Sequence, residues 1–150
     1  MYYYNLDNSN AKCADCLFTA PWKNVGDYEI LDYEVPMPTV WNKVGGIDLL
    51  LKNKQDDTIY AVEVKPEKSK ETLVRMVAEI LTYVEISDYQ VEKYGKVKPA
   101  ICFFKDSIQW KDYDTYKDDP YFKIMMNQVE VFYITHTNSA FKICKMNSAI

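Results

Sequence analysis

The chain has 150 residues, and its 48% hydrophobic content suffices for one sizeable core, so we expect a single domain over residues 1–150. Its formal net charge of −4 and pI near 5.0 exclude a protein that binds nucleic acid through overall positive charge. No run of about eighteen apolar residues occurs, and the chain starts with neither a basic nor an apolar leader, so we expect a cytoplasmic protein outside the membrane.

The segment before the first predicted strand carries no sustained apolar period, and no element is predicted there. Within it, Cys13 and Cys16 have the spacing of a metal-ligand pair, but no second such pair completes a tetrahedral site. We therefore expect reduced thiols and keep a structural metal as the alternative. His136 is the only histidine, which excludes mechanisms that need two histidines from this chain.

A first strand is predicted at Tyr28–Val35, and two further strands follow as a hairpin around the polar segment 54–57. Side chains alternate with period two along a strand, so a symmetrical register assigns each residue to a face. The pairs on the mixed face are Asp48–Glu63, Leu50–Ala61 and Lys52–Ile59. The pairs on the apolar face, which we expect in the core, are Ile47–Val64, Leu49–Val62 and Leu51–Tyr60.

The mixed face places two carboxylates opposite each other, where like charges repel. A divalent cation between the two carboxylates would turn this net repulsion into a net attraction. Asp48 and Glu63 are therefore candidate Mg²⁺ or Mn²⁺ ligands, with the carbonyl of Val64 as a third. Lys65 lies on the same face and would supply a positive charge beside the reacting phosphate. The alternative is an exposed hairpin on which Glu63 and Lys65 form a weak surface ion pair.

A long helix is predicted over 70–86, after Pro66 and with Ser69 as its N-cap. Glu79 and Tyr83 stand one turn apart on the flank of its apolar stripe. Glu79 lies well away from the centre of the stripe, which slightly favours a solvated residue over an auxiliary site residue, whereas Tyr83 is closer to the buried face. The stripe consists of Leu73, Met76, Val77, Ile80, Leu81 and Val84.

The rest of the chain predicts a buried strand at Lys98–Phe104 and a terminal hairpin formed by 129–135 and 141–145. Between them, an acidic stretch with interleaved tyrosines is interpreted as a solvated loop away from any nucleic-acid groove. Aromatic residues such as Trp41 and Trp110 could stack bases, although half-buried packing explains most of them. The residues of the acidic stretch are Asp112, Tyr113, Asp114, Tyr116, Asp118 and Asp119.

The aspartate in one strand, Glu63-Val64-Lys65 at the end of the next and the following helix resemble the PD-(D/E)xK nuclease superfamily. The resemblance covers residues 28–104. It implies an α/β fold with a restriction-endonuclease-like αβββαβ core, in which a central mixed sheet is flanked by helices, with the terminal hairpin added. It also implies hydrolysis of nucleic-acid phosphodiester bonds with Mg²⁺ or Mn²⁺, with Asp48, Glu63 and Lys65 as catalytic residues.

Two further comparisons with the superfamily pattern concern the helices. Many RecB-like members carry Gln-x-x-x-Tyr in the helix after the motif, and Glu79 to Tyr83 is similar to it with Glu replacing Gln. Many members also supply an acidic residue from an N-terminal helix, which is not evident here. Asp7, Asp15 and Asp27 are the candidates in that part of the chain.

The expected partner is nucleic acid, with DNA as the preferred substrate. Lys68 and Lys70 follow the motif and are candidate nucleic-acid contacts, and a second lysine group at 93–98 could also flank an entering backbone. A nuclease of this size covers little nucleic acid alone, so a homodimer is a hypothesis. One alternative is a catalytically inactive nuclease-like domain that binds nucleic acid or a protein. The other is a plain α/β interaction domain, which predicts a fully solvated Glu63.

Overall fold

The computed structural model describes residues 27–35, 46–87, 94–137 and 140–146. Over these residues the fold is mixed α/β, with a six-stranded sheet and three helices. The strands are β1 Tyr28–Val35, β2 Ile47–Asn53, β3 Ile59–Val64, β4 Val97–Phe104, β5 Glu130–Thr137 and β6 Ala140–Lys145. The helices are α1 Leu73–Ser87, α2 Ile108–Tyr116 and α3 Pro120–Met126.

The strands lie in the sheet in their chain order, from β1 at one edge to β6 at the other. Strands β1, β2 and β3 pair antiparallel, β3, β4 and β5 pair parallel, and β6 returns antiparallel to β5. Parallel neighbours need a crossover connection. Helix α1 provides it between β3 and β4, and helices α2 and α3 provide it between β4 and β5. The predicted strands, the long helix and the terminal hairpin are therefore confirmed as elements.

The predicted register of the motif hairpin is confirmed over four pairs. Leu50 is paired with Ala61 and Lys52 with Ile59, as the symmetrical register requires. The remaining two pairs of the described register are Leu49–Val62 and Leu51–Tyr60. Strand β1 contains an irregularity between Ile30 and Asp32, and this shifts its register against β2 by one residue.

Both faces of the sheet are buried, and each carries its own hydrophobic cluster. The cluster on the predicted apolar face includes Leu49, Leu51, Tyr60, Val62, Val64, Phe104, Phe132 and Ile134. The other cluster joins Leu50 and Ala61 to the stripe of α1, including Met76 and Ile80. Ile47 was predicted on the first face but packs in the second cluster. The described pairing of β2 with β3 begins at Leu49. Ile47 precedes this pairing, so the pairing does not fix the face on which Ile47 lies.

Helix α1 begins later than predicted and has a different cap. The Thr72 hydroxyl accepts the Arg75 backbone N–H at 3.2 Å, which is the geometry of an N-cap. The predicted cap, Ser69, instead accepts the Glu71 N–H at 3.1 Å. Its own N–H donates to the Pro66 carbonyl at 3.0 Å, so Ser69 belongs to a turn that precedes the helix.

The acidic stretch was predicted to be a loop, and this is wrong because it forms the second half of α2 and supplies the N-cap of α3. Ser107 caps α2 by accepting the Trp110 N–H, and Asp119 caps α3 by accepting the Phe122 N–H at 2.9 Å. The two helices are held by aromatic packing, which includes contacts of Phe103 with Trp110 and Tyr113. Trp110 therefore has a packing role, and Trp41 lies outside the described residues.

Of the four cysteines, Cys102 is a buried free thiol in β4 and Cys144 is a half-buried free thiol in β6. Burial raises the pKa of the Cys102 thiol, which disfavours the reactive thiolate. Cys13 and Cys16 lie outside the described residues, so the expectation for them is untested. Within the described parts of the chain, none of the helices has the length and apolar character needed to cross a membrane.

Candidate functional site

The carboxyl end of β3 places Glu63 in the interior of the protein. Only 3% of this residue is exposed, which contradicts the interpretation of the hairpin charges as surface decoration. The cause is the face that Glu63 shares with Ala61, because α1 covers that face of the sheet. A carboxyl group removed from water in this way needs partners or a proton.

Lys65 is the closest partner of Glu63. The Lys65 Nζ lies 2.5 Å from Glu63 Oε1 and 3.4 Å from Glu79 Oε2. Its backbone N–H donates to the Cys102 carbonyl at 3.3 Å, which continues the parallel pairing beyond β3 and fixes the residue beside α1. The Lys65 ammonium group therefore contacts a carboxyl group from β3 and another from α1.

Glu79 was interpreted as a solvated helix residue in preference to a site residue, and the structure corrects this. Its side chain is 26% exposed and contacts Lys65 through one oxygen and Arg75 through the other. The parallel crossover brings this flank of α1 over the end of β3. Tyr83, one turn further along, is half-buried, and the carboxylates of the site act on its ring hydroxyl.

Asp48 is joined to the same region through the backbone. Its Oδ2 accepts the Val64 N–H at 2.8 Å, and its charge acts on Glu63. Val64 was predicted as a ligand through its carbonyl, and its observed contact with the site is through its N–H. The predicted residues Asp48, Glu63, Lys65, Glu79 and Tyr83 thus lie in one cluster, which we call the carboxylate site.

The carboxylate site strongly perturbs the titration of Glu63. Burial is the largest cause and the Asp48 charge the second, and together they raise the pKa of Glu63 to about 9. A hydrogen bond with Glu79 acts in the same direction, whereas Lys65 lowers the pKa in part. Protonated Glu63 is therefore the favoured form near neutral pH in this arrangement.

The pKa values of Glu79 and Lys65 shift in the sense opposite to the effect of burial. Burial alone would raise the pKa of Glu79, but the Glu63 hydrogen bond and the charges of Lys65 and Arg75 hold it below its usual value. Burial is the largest single influence on Lys65 and opposes its charged form, but the hydrogen bond to Glu63 and the charges of the surrounding carboxyl groups together outweigh it, so the Lys65 pKa is raised. The pKa of Tyr83 is raised by burial and then by Glu63 and Glu79. The proton on Glu63 and the ammonium group of Lys65 therefore allow the carboxyl groups of Glu63 and Glu79 to lie close together.

Several of the remaining predicted residues lie elsewhere. Lys68 and Lys70 are exposed in the connection from β3 to α1, on the same side of the sheet as the site. Lys96 directly precedes β4, and Lys98 lies near its start, where it pairs with Tyr60. This end of the parallel strands is opposite to Glu63, so these two lysines do not flank the site.

The candidate acidic residues before the first strand give no further ligand within the described chain. Asp27 is exposed, and its carbonyl accepts the Lys54 N–H at 2.6 Å beside the β2–β3 turn. That turn is at the far end of β2 from Asp48. Asp7 and Asp15 lie outside the described residues.

The sequence interpretation missed two residues that the structure ties to the site. Arg75 Nε lies 3.4 Å from Glu79 Oε1, and its spacing of four residues from Glu79 on a helix was a usable signal. Gln109 is fully buried at the start of α2, and its Nε2 donates to the carbonyls of Ser69 and Glu71 at 2.9 and 2.8 Å. These bonds hold the connection between Lys65 and α1, and no local pattern indicated them.

The chemistry of the donor set suits a hard divalent cation. Asp48, Glu63 and Glu79 offer carboxyl oxygens, and two cationic side chains, Lys65 and Arg75, contact this group. Among the described residues, however, no group of three or more His, Cys, Asp and Glu side chains is placed to hold a metal ion. Asp48 and Glu63 are the residues that would hold one, as predicted from the hairpin.

No known protein-family model matches this chain, and no curated protein or solved structure matches it significantly. The proposed relation to the PD-(D/E)xK nucleases therefore depends on the residues of this chain and on the geometry described above.

Proposed function

We propose that this chain is a metal-dependent nuclease of the PD-(D/E)xK type that hydrolyses phosphodiester bonds, with DNA as its substrate. The observation that carries the proposal is the burial of Glu63 beside Asp48, Glu79 and Lys65, which arrive from three different elements. Burying carboxylates together costs stability, and such perturbed clusters are typical of functional sites. A purely structural hairpin has no need of them.

The order of the elements gives further support. Three antiparallel strands, a crossover helix and a fourth strand parallel to the third are the arrangement that the resemblance implies for residues 28–104. The first helix of an αβββαβ core would fall before residue 27, which is outside the described residues. Strands β5 and β6 would be additions to that core, as proposed from the sequence.

Each residue of the carboxylate site has a role in this proposal. A bound Mg²⁺ or Mn²⁺ would polarise a phosphoryl oxygen and lower the pKa of a bound water. Asp48 and Glu63 provide the acidic oxygens, and the Val64 N–H orients Asp48 through the 2.8 Å hydrogen bond. Lys65 places its positive charge where negative charge develops on the phosphoryl oxygens. Glu79 contacts Lys65 from α1, and Tyr83 lies one turn further along that helix.

A calorimetric Mn²⁺ titration of the wild type beside Asp48→Ala tests the proposal without a known substrate. We expect saturable binding to the wild type and its loss in the variant. Cleavage would then be measured on single-stranded DNA, duplex DNA and RNA of one sequence with Mg²⁺ and with EDTA. Saturable binding without cleavage of any of them would argue against catalysis, and absence of binding in the wild type would remove the metal site.

One contact favours the second candidate, a nuclease-like domain that binds nucleic acid or a protein without cleaving. Lys65 contacts both Glu63 and Glu79, so the polar groups of the site can be satisfied by its own residues. Such a domain would bind labelled DNA equally well with EDTA and with Mn²⁺. A nuclease of the proposed type would bind DNA more tightly when the divalent ion is present.

A further inference from the structure

Arg75 is the single arginine among the 18 basic residues of the chain, and it lies at the edge of the carboxylate site. It occupies the first turn of α1, four residues before Glu79. Its Nε lies 3.4 Å from Glu79 Oε1 and 3.6 Å from Glu71 Oε2. Because the second oxygen of Glu79 contacts Lys65, only one side chain separates the guanidinium from the catalytic ammonium group.

The surroundings of Arg75 leave its charge accessible. Its side chain is 68% exposed, and both of its described ion pairs are made by Nε. Exposed pairs of this spacing contribute little to stability. The arginine is therefore not required to hold α1 in place, and the guanidinium retains donors for a partner from solution.

We propose that Arg75 binds a phosphate of the nucleic-acid substrate adjacent to the bond that is cleaved. This inference rests on the proposed nuclease function. Asp48 and Glu79 within the carboxylate site and Glu71 beside it present carboxylates to a phosphodiester backbone that approaches the site, so that backbone needs a cation at the rim. A guanidinium matches two phosphate oxygens at once, which a lysine ammonium group does not. Such a contact fixes the register of the backbone above the reacting residues.

The experiment measures binding and its salt dependence. Fluorescein-labelled duplex DNA, single-stranded DNA and RNA of one sequence are titrated with wild type, Arg75→Ala and Arg75→Lys in Ca²⁺ at several salt concentrations. Glu71→Gln removes an ion-pair partner of Arg75 but keeps the guanidinium. Lys142→Ala removes an exposed cation from β6, at the sheet edge remote from β3. Calorimetric Mn²⁺ titrations and thermal unfolding accompany each variant.

We expect Arg75→Ala to weaken binding of the preferred probe about tenfold and to reduce the slope of log K against log salt by about 0.9 for a duplex. Arg75→Lys should restore the slope but not the full affinity. Mn²⁺ binding and thermal stability of the Arg75 variants should remain as in the wild type, and so should probe binding by Lys142→Ala. Glu71→Gln should bind the probe no more weakly than the wild type, because it keeps the guanidinium and loses a carboxylate beside it.

The experiment distinguishes failure of this inference from failure of the proposed function. If the wild type binds a probe and Mn²⁺, and Arg75→Ala binds the probe with unchanged affinity and slope, the inference is wrong and the nuclease proposal stands. If the wild type binds Mn²⁺ but none of the probes, Arg75 has no substrate phosphate to bind and the inference is overturned. If the wild type binds neither, the proposed function fails and the inference fails with it.

Discussion

The carboxylate of Asp48 accepts a hydrogen bond from the Val64 backbone N–H at 2.8 Å, and this bond connects the two motif strands. The described pairing of those strands ends at Leu49 and Val62, so the side chain replaces a ladder hydrogen bond at the open end of the hairpin. Asp48 therefore has two roles. It satisfies a backbone donor, and it brings a negative charge beside Glu63.

Substitution can separate the hydrogen bond that Asp48 accepts from the negative charge that it carries. Asp48→Asn keeps an oxygen that can accept the Val64 N–H, whereas Asp48→Ala leaves that donor without its acceptor. We expect both variants to lose Mn²⁺ binding, and only the alanine variant to lose about 1–2 kcal/mol of unfolding free energy in urea. Equal stability of the two variants would mean that the hydrogen bond contributes nothing.

Glu63 should make the stability of the wild type depend on pH. Its pKa rises from an ordinary 4.5 to about 9 on folding, so in that range the folded state keeps a proton that the unfolded chain has lost. The unfolded state then binds fewer protons, and the free energy of unfolding falls as the pH rises from about 5 to 9.

The groups that face Glu63 are Asp48 from β2, Lys65 after β3, and Glu79 and Tyr83 from α1. Glu63→Gln removes the titrating proton, so its stability relative to the wild type should increase across the same pH range in EDTA. Urea unfolding at a series of pH values measures this. Parallel curves for the two proteins would show that Glu63 does not titrate as described.

Lys65 is expected to act in catalysis and not in metal binding. Lys65→Ala should lower the rate of cleavage by at least about a hundredfold, because it removes the charge beside the developing phosphorane. Mn²⁺ binding should persist, since the variant keeps Asp48 and Glu63. Single-turnover cleavage and calorimetry measure the two properties separately, with Lys142→Ala as the control. Undiminished cleavage would remove Lys65 from the mechanism.

Gln109 should be a large contributor to the position of α1. Its Nε2 donates to two carbonyls in the connection after Lys65, and among the described residues its Oε1 has no hydrogen-bond partner. Gln109→Glu cannot make these donations when ionised and would bury a charge, so we expect a loss of about 3 kcal/mol or more at pH 8. Gln109→Met should lose less, about 1–2 kcal/mol, because it also removes the unpaired oxygen. A glutamate variant as stable as the wild type would contradict this.

The register of the motif hairpin could be predicted from local sequence alone. Alternation with period two is a property of each strand alone, and a short polar turn leaves one register that buries a complete apolar face. Leu50 opposite Ala61 followed directly from this pattern. The resemblance of Asp48, Glu63 and Lys65 to a nuclease motif was visible for the same reason, since all three are close in the hairpin.

The same reasoning failed where helices are held by aromatic contacts and caps. The stretch that forms the second half of α2 and the N-cap of α3 has exposed aspartates and weak apolar periodicity, so it was predicted to be a loop. Ser107 and Asp119 begin these helices, and Phe103 from β4 packs against α2. A cap or a ring contact between elements leaves no periodic trace in the chain.

The sequence by itself determined the strands and the long helix, the hairpin register and the pairing of acidic and basic residues around β3. Only the tertiary structure decided that Glu63 is buried, that Glu79 reaches Lys65, and that Gln109 holds the connection between them. The physical reason is the parallel crossover from β3 to β4, which lays α1 across a face that the strand pattern alone allowed to be solvated. Periodicity is local, whereas the covering of a face depends on elements distant in the chain.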